Sequence, residues 1–230
     1  MNQKQCWSKS SIIFNLDFMH FKFEQLCPHV FQHQKLKSAI WNQVVEIKDE
    51  DKVLIHAVSG TGKTSFIHYL LGLRQDYTGT IFIDHKKLSE IQVEEFTQIR
   101  KHKISTVFQD LQLFENLSVE ENIKLLPELA KGYQIEDAKM MLDELDINDK
   151  WEQPVKTLSF GQKQRVAIIR ALMKPFEFLI CDEPFSHLDE QNTIKCTKLI
   201  EKRLEEENAG LILLALQEEC TFKELKIFEL

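Results

Sequence analysis

Apolar positions along this chain fall into two patterns, short buried runs and stripes at helical spacing. Residues 12 to 26 alternate loosely, with Ile12, Phe14, Leu16 and Phe18 followed by Phe21 and Phe23, which predicts one or two strands. Two more strands are predicted at 44–47 and 53–58, around the polar turn 48–51. The second is almost wholly apolar, as a strand buried on both faces must be. A helix opens at Lys63 and stops near Gly72, a natural residue just past a helix end. Gly79 then opens a short strand over 80–83, and a helix over 88–101 and a strand over 104–108 follow. Residues 116–150 read as wholly helical, with Ser118 and Glu121 forming a capping box at the start. A helix over 159–173, a strand over 178–181, a helix over 191–207 and a strand over 211–216 complete the pattern. Strands alternating with helices argue for a parallel α/β sheet, into which the helical block at 112–158 is inserted.

Composition narrows this to one domain over 1–230. The 230 residues, 43% hydrophobic and 28% charged, suffice for one large domain or a core with an embedded subdomain. No run approaches the ~18–20 apolar residues of a membrane helix, so any span has to come from another polypeptide. Lys4 and Lys9 imitate the charged start of a signal peptide, but Asn15 and Asp17 interrupt the apolar stretch. The cysteines (Cys6, Cys27, Cys181, Cys196, Cys220) are odd in number and form no CxxC pair, which reads as reduced thiols in a cytosolic protein. A formal charge of −7 leaves no footprint for nucleic acid, whose phosphates demand clustered Lys and Arg.

The first chemistry lies at Ala57-Val58-Ser59-Gly60-Thr61-Gly62-Lys63-Thr64, between a strand and a helix, as a phosphate loop requires. Gly60 and Gly62 allow a backbone whose successive N–H groups point at a β-phosphate, and the helix N-terminus adds its dipole. Lys63 is placed for the β- and γ-phosphates and the Thr64 hydroxyl for Mg²⁺. The expected ATP contacts are Ser59, Gly60, Thr61, Gly62, Lys63, Thr64 and Ser65. Ala57 stands where the first glycine of G-x-x-x-x-G-K-[ST] belongs, and an ordinary glycine turn is the alternative reading.

Far downstream, the strand at 178–181 ends in Asp182 and Glu183. At the carboxyl edge of a parallel sheet Asp182 falls near Mg²⁺, and Glu183 falls over the γ-phosphate as general base for an attacking water. A lone acidic pair would read as a helix cap; after a phosphate loop it reads as catalysis. Ser159 and Gln162 make another capping box and leave the N–H groups of that helix end exposed to an anion. A chain with one phosphate loop has no use for a second such end unless it serves another copy.

Leu158-Ser159-Phe160-Gly161-Gln162 resembles the LSGGQ signature of the ATP-binding-cassette ATPases, and Gln164, Arg165, Arg170, Ala171 and Leu172 resemble the run that follows it. The family's order recurs along nearly the whole chain: phosphate loop, Q-loop at Gln109, signature, acidic strand, and Ser186-His187-Leu188-Asp189 as D-loop. The resemblance implies a P-loop NTPase core with a mostly parallel sheet, an N-terminal antiparallel β portion and an inserted helical subdomain. It implies ATP and Mg²⁺, with Gln109 joining Thr64 and Asp182 at the metal and sensing a membrane partner. It also implies a head-to-tail dimer with a second cassette, identical or not. There Ser159, Gly161 and Gln162 face the partner's ATP and Asp189 crosses to the opposite subunit. Transmembrane permease subunits are the further partners, and the location is cytoplasmic, peripheral on the inner face of the cell membrane. From Leu88 onward, Leu-Ser-Glu-Ile, Ile-Ser-Thr-Val-Phe-Gln and Leu-Ser-Val-Glu-Glu-Asn-Ile resemble the lipoprotein-release and macrolide-export branch.

Two departures from the family pattern stand beside Ala57. Gln217 occupies the position of a histidine that contacts the γ-phosphate, and an amide cannot carry a histidine's charge. Phe160 replaces a signature glycine and is tolerated if its ring points away from the nucleotide. Phe31 is the first candidate to stack on adenine and His33 the second, with a core role as the alternative for Phe31. The leading function is an ATPase subunit powering a membrane transporter. A soluble assembly ATPase and a slow or non-hydrolysing regulatory subunit, suggested by Gln217, are the alternatives.

Overall fold

The computed structural model describes residues 19–34, 37–58, 60–125, 133–216 and 222–230. In chain order the strands are β1 (Phe21–Pro28), β2 (Val44–Ile47), β3 (Lys52–His56), β4 (Tyr77–Ile83), β5 (Lys86–Lys87), β6 (Ile104–Val107), β7 (Phe178–Asp182), β8 (Gly210–Ala215) and β9 (Lys226–Glu229). The helices are α1 (Lys63–Leu70), α2 (Val93–His102), α3 (Val119–Lys124), α4 (Ile135–Glu144), α5 (Phe160–Leu172) and α6 (Glu190–Glu207).

Five strands form a parallel sheet in the order β6-β7-β8-β3-β9. Its central strands are apolar on both faces because each face has its own core. Leu179 and Cys181 of β7, Leu211 and Leu213 of β8 and Leu54 of β3 point into one cluster, shared with α5, α6 and the helical segment. Phe178, Ile180, Ile212, Leu214, Val53 and Ile55 point into the other, shared with α1 and the second sheet. The period of two along each strand thus sorts one continuous apolar run into two layers.

The second sheet is antiparallel, ordered β2-β1-β4-β5. Phe21 and Phe23 of β1 cover α1 and the parallel sheet, with ring centroids 5.2 Å from Phe178 and 5.3 Å from Phe66 respectively. This is the α/β phosphate-loop fold that the sequence pattern predicts, with the antiparallel β portion that the family resemblance implies.

Several boundaries differ from the pattern. Expected strand residues 12–18 lie outside the described residues. The strand at 80–83 begins earlier, at Tyr77, where β4 passes a register shift in β1 between Glu24 and Cys27. The helix over 88–101 is two pieces, because Ile91 and Gln92 are extended between a 3₁₀ turn and α2. The block at 116–150 is broken among its described residues. There α4 ends at Glu144, the left-handed Asp146 (φ 53°) follows, and the Ile147 N–H closes back on the Leu142 carbonyl at 2.9 Å.

Both capping boxes form, at Ser118 with Glu121 and at Ser159 with Gln162. The entry to α3 is pinned by Asn122, whose side chain is fully buried. Its Oδ1 accepts from the Phe114 N–H at 2.8 Å, and its Nδ2 donates to the carbonyls of Phe114 at 3.0 Å and Ser118 at 2.9 Å. Asn122→Ala takes the acceptor from the Phe114 N–H and one of two donors from each of the Phe114 and Ser118 carbonyls, which keep the N–H groups of Leu117 and residue 122, and the expected loss is about 1–3 kcal/mol of stability in thermal or urea unfolding. A variant within about 0.5 kcal/mol of the parent, the range of an ordinary surface change, refutes this role.

Candidate functional site

Strands β3 and β7 flank β8, so their carboxyl ends open on the same sheet edge, where ligands of open α/β sheets bind. Residues 57–62 leave β3 here and feed α1. Ala57 is buried, lies outside the left-handed region, and donates its N–H to the Ala215 carbonyl at 3.2 Å. It continues the strand pairing, so a methyl group in place of a glycine costs nothing. Gly60 and Gly62 do adopt left-handed angles, φ 86° and 100°, and Gly62 is the N-cap of α1. A Cβ on Gly62 would lie 3.1 Å from both Phe31 Cε2 and Trp41 Cζ2, whereas one on Gly60 meets nothing within 4 Å. Trp41 Nε1 also donates to the Thr61 carbonyl at 3.0 Å, and the Thr61 hydroxyl to the Val58 carbonyl at 2.8 Å.

Lys63, at the start of α1, forms an ion pair with Glu183, which follows β7 and lies 120 residues later in the chain. Both side chains are about nine-tenths covered, at 11% and 10% exposure. Glu183 holds a left-handed φ of 48°, a conformation that costs a non-glycine residue energy and clusters at functional sites. Burial pushes the neighbouring Asp182 carboxyl up to about 6; the Glu183 charge adds to the rise and Lys63 opposes it. Asp182 is 5% exposed, and its buried Oδ1 has no hydrogen-bond partner among the described residues. Asp182 lines a cavity of 730 Å³ together with Thr64 and Gln109. A hydroxyl, a carboxamide and an unsatisfied carboxylate are hard oxygen donors of the kind Mg²⁺ takes.

The N-terminus of α5 carries Ser159, whose Oγ accepts from the Gln162 N–H at 3.2 Å while Gln162 Oε1 accepts from the Ser159 N–H at 2.9 Å. Gly161 runs beneath the loop after β7, where a Cβ would lie 3.0 Å from the His187 carbonyl oxygen. Phe160 follows Ser159 at the start of α5. Its ring rests against the His187 ring at 4.1 Å and lines the cavity of Thr64, Gln109 and Asp182. The bulk that stands in place of the signature glycine is accommodated by pairing two aromatic rings at the surface. Asp189 caps α6, accepting from the backbone N–H and side-chain Nδ2 of Asn192, both at 2.8 Å.

Lys63, Thr64, Gln109, Asp182 and Glu183, scattered along the chain, therefore meet at one sheet edge. Ser65 carries a bond of its own, accepting from Arg74 Nη1 at 3.0 Å. Phe31 packs beside Gly62, and His33 lies exposed in the turn after it. Ser59 and Gln217 lie outside the described residues. One residue here, Trp41, escaped the sequence reading, and another, Gln164, was read only as part of the run after the signature, with no contact assigned. Trp41 sits in a polar turn and gives no periodic signal. Gln164 did give one, as a polar residue in the buried helical stripe with Ile168 and Leu172.

An α/β fold with a phosphate loop, an acidic strand end beside it and a second capped helix end defines an ATP-binding-cassette ATPase. The ABC transporter family profile matches residues 42–186, and the chain belongs to that family. It is 31% identical over 183 residues to the macrolide export ATP-binding/permease protein MacB of Campylobacter jejuni (strain 81-176), covering 78% of this chain and 28% of the relative. It is 34% identical over 162 residues to the lipoprotein-releasing system ATP-binding protein LolD of Leptospira interrogans, covering 69% of this chain and 68% of the relative. The chain thus spans under a third of the MacB relative and about two thirds of LolD. Among solved structures, the dimeric structure of MJ0796, a bacterial ABC transporter cassette, superposes with a TM-score of 0.75 at 26% identity, covering 91% of this chain and 94% of that one. A post-hydrolysis dimer of MJ0796 with ADP and Pi gives 0.71 at 26%, covering 86% and 88%.

The two loop glycines separate conformation from contact. Gly60→Ala carries only the left-handed cost of about 1–2 kcal/mol, while Gly62→Ala must also displace Phe31 and Trp41. Calorimetry with ADP should find affinity falling by more than about tenfold for Gly62→Ala and by less for Gly60→Ala. The reverse order refutes the aromatic support.

Proposed function

We propose that this chain is the ATP-binding and hydrolysing subunit of a membrane transporter, in which two cassettes close head to tail on ATP and drive permease subunits. One observation carries the reading: the phosphate-loop lysine and Glu183, the acid that follows β7, meet beside a cavity lined by Thr64, Gln109 and Asp182. Lys63 and the backbone N–H groups of the loop bind the phosphates, with Ser59 and Ser65 completing the contacts. Thr64, Gln109 and Asp182 hold Mg²⁺. When bound, the ion neutralises charge on the β- and γ-phosphate oxygens. Lys63 leaves Glu183 for the phosphates, and the released carboxylate orients the attacking water and accepts its proton. Phe31 stacks on adenine, and Gln217, two residues past β8, donates a hydrogen bond to the γ-phosphate. Ser159, Gly161 and Gln162 face the partner's nucleotide, and Asp189 reaches across the interface.

The relatives' names support a role in transport, and the dimeric cassettes support closure as a dimer. Residues 1–230 act as one cassette, with 112–158 as its helical subdomain. Among the described residues no helix is long and apolar enough to cross a membrane, so the span is assigned to the permease. A groove of 420 Å³ is the site proposed for that partner. Its wall includes Leu73, Phe114 and Leu125, which are 52%, 58% and 50% exposed. Three large apolar side chains left in water at one place favour an interaction surface. The protein then works on the cytoplasmic face of the membrane, as a peripheral subunit.

Two experiments test this. Glu183→Gln removes the proton acceptor and the partner that holds Lys63. Hydrolysis should fall by about 10²–10⁴-fold, ATP affinity should stay or rise, and size-exclusion chromatography with ATP should show a dimer. Hydrolysis at the parental rate would sink the role of Glu183. Phe114→Asp puts a charge into the apolar groove. It should keep ADP affinity yet lose retention on permease-containing membrane vesicles by about tenfold, the effect of burying an unpaired polar group. Undiminished retention rejects the groove.

A further inference from the structure

Gln164 lies in the second turn of α5 and is 1% exposed, and no role above uses it. Its carboxamide is spent on the turn that leaves β7. Nε2 donates to the Glu183 carbonyl at 3.2 Å and to the Ser186 hydroxyl oxygen at 3.3 Å, and Oε1 accepts from the His187 N–H at 3.3 Å. A buried carboxamide with both N–H groups and its oxygen engaged on one turn fixes that turn to the helix.

The two joined elements have different duties. The first turn of α5 carries Ser159 and Gly161, while the turn after β7 begins with Glu183 and runs on to Asp189. Other contacts reinforce the joint. Gly161 lies against the His187 carbonyl, and Arg165 Nη1 donates to Asn192 Oδ1 at 3.0 Å, the residue that holds Asp189. A shift of the helix end therefore moves residues 183–189 with it. Glu183 is the sensitive end, because its left-handed backbone is held by its N–H on the Leu214 carbonyl at 2.9 Å and by Gln164 on its own carbonyl.

In the proposed dimer, Ser159 faces the partner's nucleotide and Glu183 serves the chain's own. We propose that Gln164 is the positioning residue that couples the two ATP sites, so that seating of the signature helix on the partner's ATP sets the backbone of Glu183. This inference rests on the head-to-tail reading above.

The test is the ATP dependence of steady-state hydrolysis by the full chain, with ADP affinity by calorimetry as the measure of the phosphate loop alone. The parent should show a Hill coefficient near ~2, the limit for two coupled sites. Gln164→Leu should keep ADP affinity within about twofold, lose about tenfold in kcat through the displaced carboxylate, and fall to a Hill coefficient near ~1. Gln164→Glu keeps the acceptor for His187 and loses both donors, so it should fall between. Ser186→Ala alters an exposed hydroxyl, which keeps the test open if Gln164→Leu fails to fold, and it should show a smaller loss in the same direction. A Hill coefficient near one in the parent overturns the coupling, and so does a parental coefficient in both Gln164→Glu and Ser186→Ala. Loss of ADP binding together with hydrolysis in Gln164→Glu makes Gln164 a purely structural residue and also overturns it. Ser159→Ala separates the two levels. If it lowers kcat and the Hill coefficient while the Gln164 and Ser186 variants do not, the coupling role alone fails. If Ser159→Ala matches the parent, the signature helix does not read a partner's nucleotide and both readings fall.

Discussion

The ion pair between Lys63 and Glu183 is the contact around which this site is arranged. Two charges nine-tenths removed from water are costly unless each has a partner, because desolvation then exceeds what a solvated pair would return. The fold supplies those partners by topology. Strand β8 lies between the strands that end in the phosphate loop and in Asp182, so both chain segments exit on the same edge. An order that moved β3 away from β7 would leave the lysine and the carboxylate each buried alone. The pair also defines what phosphate must do here: it must offer Lys63 more than Glu183 does. In the proposed function, phosphate binding and release of the Glu183 carboxylate are then the same event.

Around that contact the backbone is held in conformations that its residues do not prefer. The left-handed angles at Gly60, Gly62 and Glu183 persist because the surroundings over-determine them. Phe31 and Trp41 close over Gly62, and the indole N–H takes the Thr61 carbonyl. Gln164 and the Leu214 carbonyl hold Glu183 from two sides. The described part of the loop from Gly60 to Gly62 is therefore shaped before any phosphate arrives, and little ordering is left there for binding to supply.

The helical segment stands in a different relation to the site. It shares one hydrophobic cluster with α5 and α6, so the helix bearing Ser159 is packed against the groove-bearing part of the molecule. Asn122 closes the entry to α3 from inside, and Phe114 and Leu125 on the same stretch remain in water. A buried amide that fixes a loop whose neighbouring side chains are apolar and exposed suits a surface built to meet another protein.

The phosphate loop, the acidic strand end, both capping boxes and the alternation of strands and helices were legible from the chain alone. Each is a local rule: a glycine where φ must be positive, a hydroxyl at a helix start, an apolar run where a strand is covered on both faces. The break in the helical block at Asp146 was not legible, since its left-handed turn closes through backbone bonds that no side-chain pattern announces. Nor was the support of Gly62 by Phe31 and Trp41, or the pairing of Phe160 with His187, because residues distant in sequence meet only once two sheets and a helix have packed. Gln164 lies between these cases. Its place in a buried stripe was visible, but its partners on the turn after β7 were not. Sequence alone singled out the groups proposed to carry the chemistry here. Tertiary structure decided which of them touch, because strand order and the close packing of side chains set contacts that sequence distance does not encode.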